Sequence, residues 1–162
     1  MSRLDSFIRR LQAQRACIDA AVDLVTSLPG PVFELGLGNG RTYDHLRTRC
    51  PDREVFVFER KVAAHPDCIP DADHLFEGPL EDTLEAAVAR FPNQVALIHA
   101  DLGSGRPDQD ARLSAFVARQ LPLLLAGGGV VASDQDVVWP QAEIMALPEG
   151  VRPGRYYLFR KE

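Results

Sequence analysis

Between residues 2 and 28, Leu4, Phe7, Ile8, Leu11, Ile18, Ala21, Val22 and Val25 recur at three- and four-residue steps, with Arg9, Arg10, Arg15, Asp19 and Asp23 between them. That period predicts one long amphipathic helix, stopped by Pro29-Gly30-Pro31. The pattern then changes. Short apolar runs at 32–35, 54–58, 74–76, 95–100 and 130–133 alternate with helical stretches at 42–50, 81–91 and 110–125. Between the second and third runs, residues 61–73 carry Pro66 and Pro70, so any crossover helix there is very short. Gly127-Gly128-Gly129 predicts a turn into the fifth strand, and the last 25 residues suit a closing antiparallel pair at 143–147 and 155–160. Strands alternating with helices predict a mostly parallel sheet covered on both faces, with right-handed crossovers. The expected organisation is an N-terminal helical segment, 1–30, followed by one α/β domain, 31–162. The helix either covers a ligand site, packs on the sheet or pairs with another subunit, and the sequence leaves these three open.

Composition narrows the function classes more than the fold. With 162 residues, 46% hydrophobic and 25% charged, the chain can bury one sizeable core. A formal net charge of −5 argues against a basic nucleic-acid surface. There is no apolar run of the length a membrane helix needs. Residues 2–5 lack an apolar signal core. Cys17, Cys50 and Cys68 are odd in number and lack metal-site spacing, which fits free thiols in a reducing cytoplasm.

The most informative stretch is Pro31-Val32-Phe33-Glu34-Leu35-Gly36-Leu37-Gly38-Asn39-Gly40-Arg41-Thr42. It reads as a buried strand running into a glycine loop and then a helix, the arrangement that holds a nucleotide-like ligand at a helix N-terminus. The dinucleotide fingerprint G-x-G-x-x-G fails here, because its third glycine position, counted from Gly36 and Gly38, is Arg41. A carboxylate at Glu34 would also repel a pyrophosphate, whereas it suits an ammonium or sulfonium. Glu59 closes the second strand, where an acid can accept hydrogen bonds from ribose hydroxyls. Thr42 stands at the following helix start, as an N-cap, as a ligand for a carboxylate, or as both.

The pattern E-x-G-x-G-x-G resembles motif I of the class I S-adenosylmethionine-dependent methyltransferases. Downstream motifs are closest to the caffeoyl-CoA and catechol O-methyltransferase group. Glu77-Gly78-Pro79-Leu80 before an acidic helix start looks like that group's loop where backbone meets adenine, against the alternative of a plain turn. His99-Ala100-Asp101-Leu102 resembles its D-A-D-K motif, with His99 in place of a metal-binding Asp and Leu102 in place of the Lys. Gly128-Gly129 through Asp134-Gln135 to Trp139 resembles its G-G-x-x-x-x-D-N-x-x-x-W. The resemblance implies a Rossmann-like, doubly wound, mostly parallel seven-stranded sheet whose last strand is antiparallel. It implies S-adenosylmethionine as cofactor, held by Glu34, Gly36, Leu37, Gly38, Gly40, Thr42, Glu59, Arg60, Gly78, Pro79, Leu80 and Asp101.

His99 has three readings: a strand-end histidine with a satisfied hydrogen bond, a general base near the methyl group, or a metal ligand together with Asp134 and Gln135. A histidine would move such a site away from hard, all-oxygen Mg²⁺ and Ca²⁺ chemistry, and the need for a divalent metal stays open. The catalytic candidates are His99 and Asp134. Trp139 is either a wall of an acceptor pocket or a cover for the sheet edge. Tyr156 and Tyr157 fall on opposite faces of the last strand, so at most one is expected to face the core. The expected function is methyl transfer to a small-molecule acceptor, at oxygen, by a cytoplasmic enzyme that binds neither nucleic acid nor membrane, with homo-oligomerisation through the N-terminal helix as an option. The rivals are a non-catalytic S-adenosylmethionine-binding protein and a nicotinamide-dependent oxidoreductase.

Overall fold

The computed structural model describes residues 2–162; Met1, at the head of the expected helical segment, lies outside the described residues. Helix α1 (Arg3–Leu24) opens on a capping box in which Ser2 and Asp5 satisfy each other's backbone amides. The sheet follows: β1 (Val32–Leu35), β2 (Val55–Glu59), β3 (Leu75–Glu77), β4 (Val95–Ala100), β5 (Leu125–Ser133), β6 (Ala142–Ile144) and β7 (Tyr157–Lys161). Helices α2 (Arg41–Arg49), α3 (Leu80–Arg90) and α4 (Pro107–Leu124) connect them. The prolines of 61–73 reduce the crossover between β2 and β3 to two 3₁₀ turns, Pro66–Cys68 and Ala72–His74.

The strand order is β3-β2-β1-β4-β5-β7-β6, parallel from β3 to β5, with β7 antiparallel to both β5 and β6. This is the seven-stranded, doubly wound sheet implied by the sequence resemblance. Strands β1 and β4 are buried along their whole length, Glu34 and His99 included, as strands of a parallel sheet covered on both faces are. Because β2 and β4 lie on opposite sides of β1, the strand order reverses there. The carboxyl ends of β1 and β4 therefore open a crevice at the switch point.

Two cores flank the sheet. Beneath α3 and α4, Phe33, Phe56 and Phe58 pack with Phe91, Leu84, Ile98 and Leu121. Beneath α1 and α2, Cys17, Ile18, Ala21 and Val22 pack on Val57, Leu97, Val130 and Leu158. Of the three roles left open for the N-terminal helix, packing on the sheet is thus realised by its C-terminal half. Leu4, Phe7 and Ile8, in its first two turns, stay exposed. Surface pairs His45–Asp19 at 2.8 Å and Arg49–Asp19 and Arg49–Asp23 at 2.9 Å tie α1 to α2.

Three local expectations change. The three glycines 127–129 lie within β5 rather than in a turn before it, beside a register shift between Val95 and Leu97 of β4. Tyr156 is buried in the α1-side core while Tyr157 packs against the other, so both find apolar neighbours because the sheet is covered on both faces. Thr42 is not an N-cap: Gly40 takes that position, in left-handed conformation and with no side-chain cap. Among the described residues no helix is long and apolar enough to cross a membrane.

Candidate cofactor and acceptor site

The crevice above β1 and β4 holds two adjoining clefts that meet at Gly36. The outer one, about 380 Å³, is lined by Phe58, Glu59, Gly78, Pro79, Leu80 and Leu102, with Arg60 and, from α4, Gln109, Arg112 and Leu113. The inner one, about 220 Å³, is lined by the glycine loop from Gly36 to Asn39, by Arg41, Thr42 and Asp101, and by Arg10, Leu11 and Gln14 of α1. Gly36 has φ +91°, and a Cβ placed on it would stand 2.7 Å from the carbonyl oxygen of Asp101. Only a residue without a side chain lets the ends of β1 and β4 approach so closely. Glu59 braces the loop: its Oε2 accepts from the amides of Leu37 at 2.8 Å and Gly38 at 3.2 Å, and its Oε1 from the Lys61 amide at 3.2 Å.

Of the residues expected at a cofactor, the structure gathers Gly36, Glu59, Arg60, Gly78, Pro79 and Leu80 in the outer cleft and Leu37, Gly38, Thr42 and Asp101 in the inner one. Glu34 and Gly40 are exceptions. Gly40 packs beneath the loop, where an added Cβ would meet Cys68 Cβ at 2.4 Å. Glu34 is fully buried in the sheet, and both of its oxygens are taken. The Thr42 hydroxyl donates to Oε1, and Oε2 lies 2.6 Å from His99 Nδ1. The carboxylate that faces the inner cleft is that of Asp101, held by the Gln14 amide at 2.9 Å. Gln14, 8% exposed, escaped the sequence reading, although a glutamine on the apolar stripe between Leu11 and Ile18 was a usable signal.

Of the three readings of His99, the structure fits the strand-end histidine with satisfied hydrogen bonds. It sits directly across from Glu34 in the β1–β4 register, fully buried. Its Nδ1 is paired with Glu34 and its Nε2 with the Tyr156 hydroxyl, so neither nitrogen faces either cleft. Burial pulls its pKa down, but the Glu34 carboxylate, through charge and hydrogen bond, raises it above the ordinary value, with smaller help from Asp101 and Asp134. The expected base therefore has no lone pair to offer an acceptor. Nor do His99, Asp134 and Gln135 form a ligand set. Asp134 accepts from the amides of Leu102 and Gly103, each at 3.0 Å, and from Gln135 Nε2 at 3.1 Å. Among the described residues no three His, Cys, Asp or Glu side chains stand together as a metal group.

Beyond the Leu102–Gly103 segment opens a third cavity of about 880 Å³ between α4 and the segment after β5. Asp134, Gln135, Asp136, Trp139, Pro140 and Tyr157 line it, with Ala111, Ser114 and Ala118 of α4 opposite. Trp139, 7% exposed, serves at once as cavity wall and core residue. Burial raises the Asp134 pKa; the Leu102 amide and Gln135 lower it and the charge of Asp101 raises it, with a net upward shift.

A family model described as S-adenosyl-L-methionine methyltransferase matches residues 1–161. The chain belongs to that family. A solved S-adenosyl-L-methionine methyltransferase from Silicibacter pomeroyi DSS-3 is 41% identical, with 100% of this chain and 99% of that chain covered and a TM-score of 0.94. A putative caffeoyl-CoA O-methyltransferase from Staphylococcus aureus is 12% identical, covering 100% and 85%, with a TM-score of 0.57. The S-adenosylhomocysteine-bound methyltransferase PaMTH1 from Podospora anserina is 16% identical, covering 100% and 80%, with a TM-score of 0.55. No curated protein sequence matches. The two distant structures share the fold alone, so the special closeness to the caffeoyl-CoA group rests on one weak neighbour. The methyltransferase assignment does not depend on it.

Proposed function

We propose that this methyltransferase transfers the methyl group of S-adenosylmethionine to an oxygen of a small-molecule acceptor held in the cavity beside Trp139 and Asp134. The observation that carries this reading is the pair of clefts meeting at Gly36, whose linings match the two halves of the cofactor in charge and polarity. Asp101 offers a carboxylate for an ammonium, and Arg10 and Arg41 offer guanidinium groups for a carboxylate. Glu59 and the backbone of Gly78–Leu80 suit ribose hydroxyls and a base, with Phe58, Leu102 and Leu113 as apolar walls. When bound, the cofactor supplies a methyl on a sulfonium, already labile to a nucleophile.

The chain's own contribution is mostly position and exclusion of water. Leu102 lines the outer cleft and Asp134, which clasps the Leu102–Gly103 segment, lines the larger cavity, so an acceptor lodged against Asp134 adjoins the cofactor clefts at that segment. An oxygen nucleophile must lose a proton, and of the carboxylates lining the cavity, Asp110, Asp134 and Asp136, we assign that step to Asp134. Its pKa, raised by burial, makes it a better base than an ordinary aspartate. In the cell we place the enzyme in the cytoplasm, with the exposed Leu4, Phe7 and Ile8 of α1 as the surface on which two copies would pair.

The test is calorimetric titration with S-adenosylhomocysteine and with NADH, followed by a panel of phenols, thiols, amines and carboxylates assayed for S-adenosylhomocysteine release. Binding of the first ligand and turnover with a hydroxyl-bearing acceptor support the reading. Binding without turnover on any class favours a non-catalytic S-adenosylmethionine-binding protein, and turnover confined to amines or thiols rejects the oxygen acceptor.

A further inference from the structure

Three polar side chains in the α1-side core take no part in the chemistry above. Glu34, His99 and Tyr156 are 0%, 0% and 1% exposed, and none of them lines a cleft. They form a continuous row across the sheet. Glu34 of β1 faces His99 of β4 in register, Nδ1 to Oε2 at 2.6 Å, and His99 Nε2 pairs with the hydroxyl of Tyr156, which leads into β7. Burying such groups is costly, and apolar residues of similar volume would often pack as well or better. A buried polar row calls for a role that packing does not fill, and its two ends indicate one.

At one end Glu34 accepts from Thr42, in the first turn of α2. At the other, Tyr156 lies close to Gln14, whose side-chain amide donates to the Asp101 carboxylate at 2.9 Å. Thr42, Gln14 and Asp101 all line the same inner cleft of about 220 Å³. The buried row therefore bonds directly to one wall of that cleft, Thr42 of the helix after the glycine loop, and abuts two others, Gln14 of the N-terminal helix and Asp101, two residues beyond His99 at the end of β4. Fully satisfied polar chains in a low-dielectric interior hold one geometry more rigidly than apolar contacts do.

We propose that His99, Glu34 and Tyr156 are positioning residues that set the spacing of Thr42, Gln14 and Asp101 around the amino-acid end of the cofactor. The inference rests on S-adenosylmethionine occupying the inner cleft. Its experiment uses Tyr156→Phe, which removes one oxygen and keeps the ring, together with His99→Gln and His99→Leu. Each is titrated with S-adenosylhomocysteine by calorimetry at a temperature where circular dichroism and a melting curve show it fully folded.

Positioning predicts that Tyr156→Phe raises Kd by about fivefold or more and His99→Leu by about tenfold or more. His99→Gln, which can still bridge Glu34 and Tyr156, should lie between wild type and His99→Leu. A Kd within twofold of wild type in folded Tyr156→Phe overturns the proposal and leaves the row as a device of stability alone. If His99→Leu does not fold, Tyr156→Phe decides. Wild-type protein that binds no S-adenosylhomocysteine would instead reject the cofactor reading, a separate outcome read from the same titration.

Discussion

Replacing Gly36 by alanine tests the geometry on which both clefts depend. The residue has φ +91°, and the new Cβ would stand 2.7 Å from the Asp101 carbonyl oxygen, a separation real Cβ atoms essentially never show. The left-handed backbone costs an L-residue about 1–2 kcal/mol. The carbonyl cannot retreat freely, because the Asp101 amide donates to Leu35 O at 3.1 Å and the carboxylate is held by Gln14. Overpacking of this kind costs about 1–3 kcal/mol more. For a domain of this size, roughly 2–5 kcal/mol lowers the melting temperature by about 5–15 °C. The displaced Asp101 should also weaken S-adenosylhomocysteine binding by about tenfold or more. Gly38→Ala is the built-in comparison. Its φ is +53° and an added Cβ meets nothing within 4 Å, so only the backbone preference of about 1 kcal/mol is lost, a drop of about 2–4 °C. Differential scanning calorimetry and titration calorimetry on the two variants give the answer. Gly36→Ala that melts within about 2 °C of wild type and binds the ligand equally well would refute the close approach of β1 and β4.

Other expectations follow from single contacts. Glu59→Ala frees the Leu37 and Gly38 amides, so S-adenosylhomocysteine affinity should fall at least about tenfold in a titration, while Glu59→Gln, which keeps one acceptor, should lose less. Asp134→Asn should lower turnover by about two orders of magnitude with Kd for S-adenosylhomocysteine within about threefold, and unchanged turnover would reject its role as base. The His99–Glu34 pair makes stability depend on pH. With the folded His99 pKa raised by Glu34, Asp101 and Asp134 against the opposing effect of burial, the folded state binds the proton more tightly than the unfolded chain. That stabilisation is fully present below about pH 6.5, the unfolded value, and is lost as pH rises through the raised folded value. The wild-type melting temperature should therefore fall across that window relative to His99→Gln, and a constant difference between the two would show that His99 does not titrate there.

The primary structure by itself determined the elements and the class of sheet. Mostly apolar runs such as 95–100, in which His99 is the one polar residue, separated by helical periods, leave few solutions other than a parallel sheet covered on both faces, and Pro66 and Pro70 rule out a long crossover by local sterics alone. The glycine loop and the acid closing β2 were legible for the same reason, since left-handed backbone and strand-end position are local properties. What the tertiary structure alone decided is where each polar side chain points. Glu34 and His99 lie 65 residues apart yet sit opposite each other in register, and that pairing turned a presumed cofactor ligand and a presumed base into neighbours sealed inside the core. Gln14 reaches Asp101 across 87 residues because half of α1 lies on the sheet instead of standing free. Hydrogen bonds of that range depend on the packing of whole elements, and a one-dimensional pattern records the residues that can make them but not the partners they find.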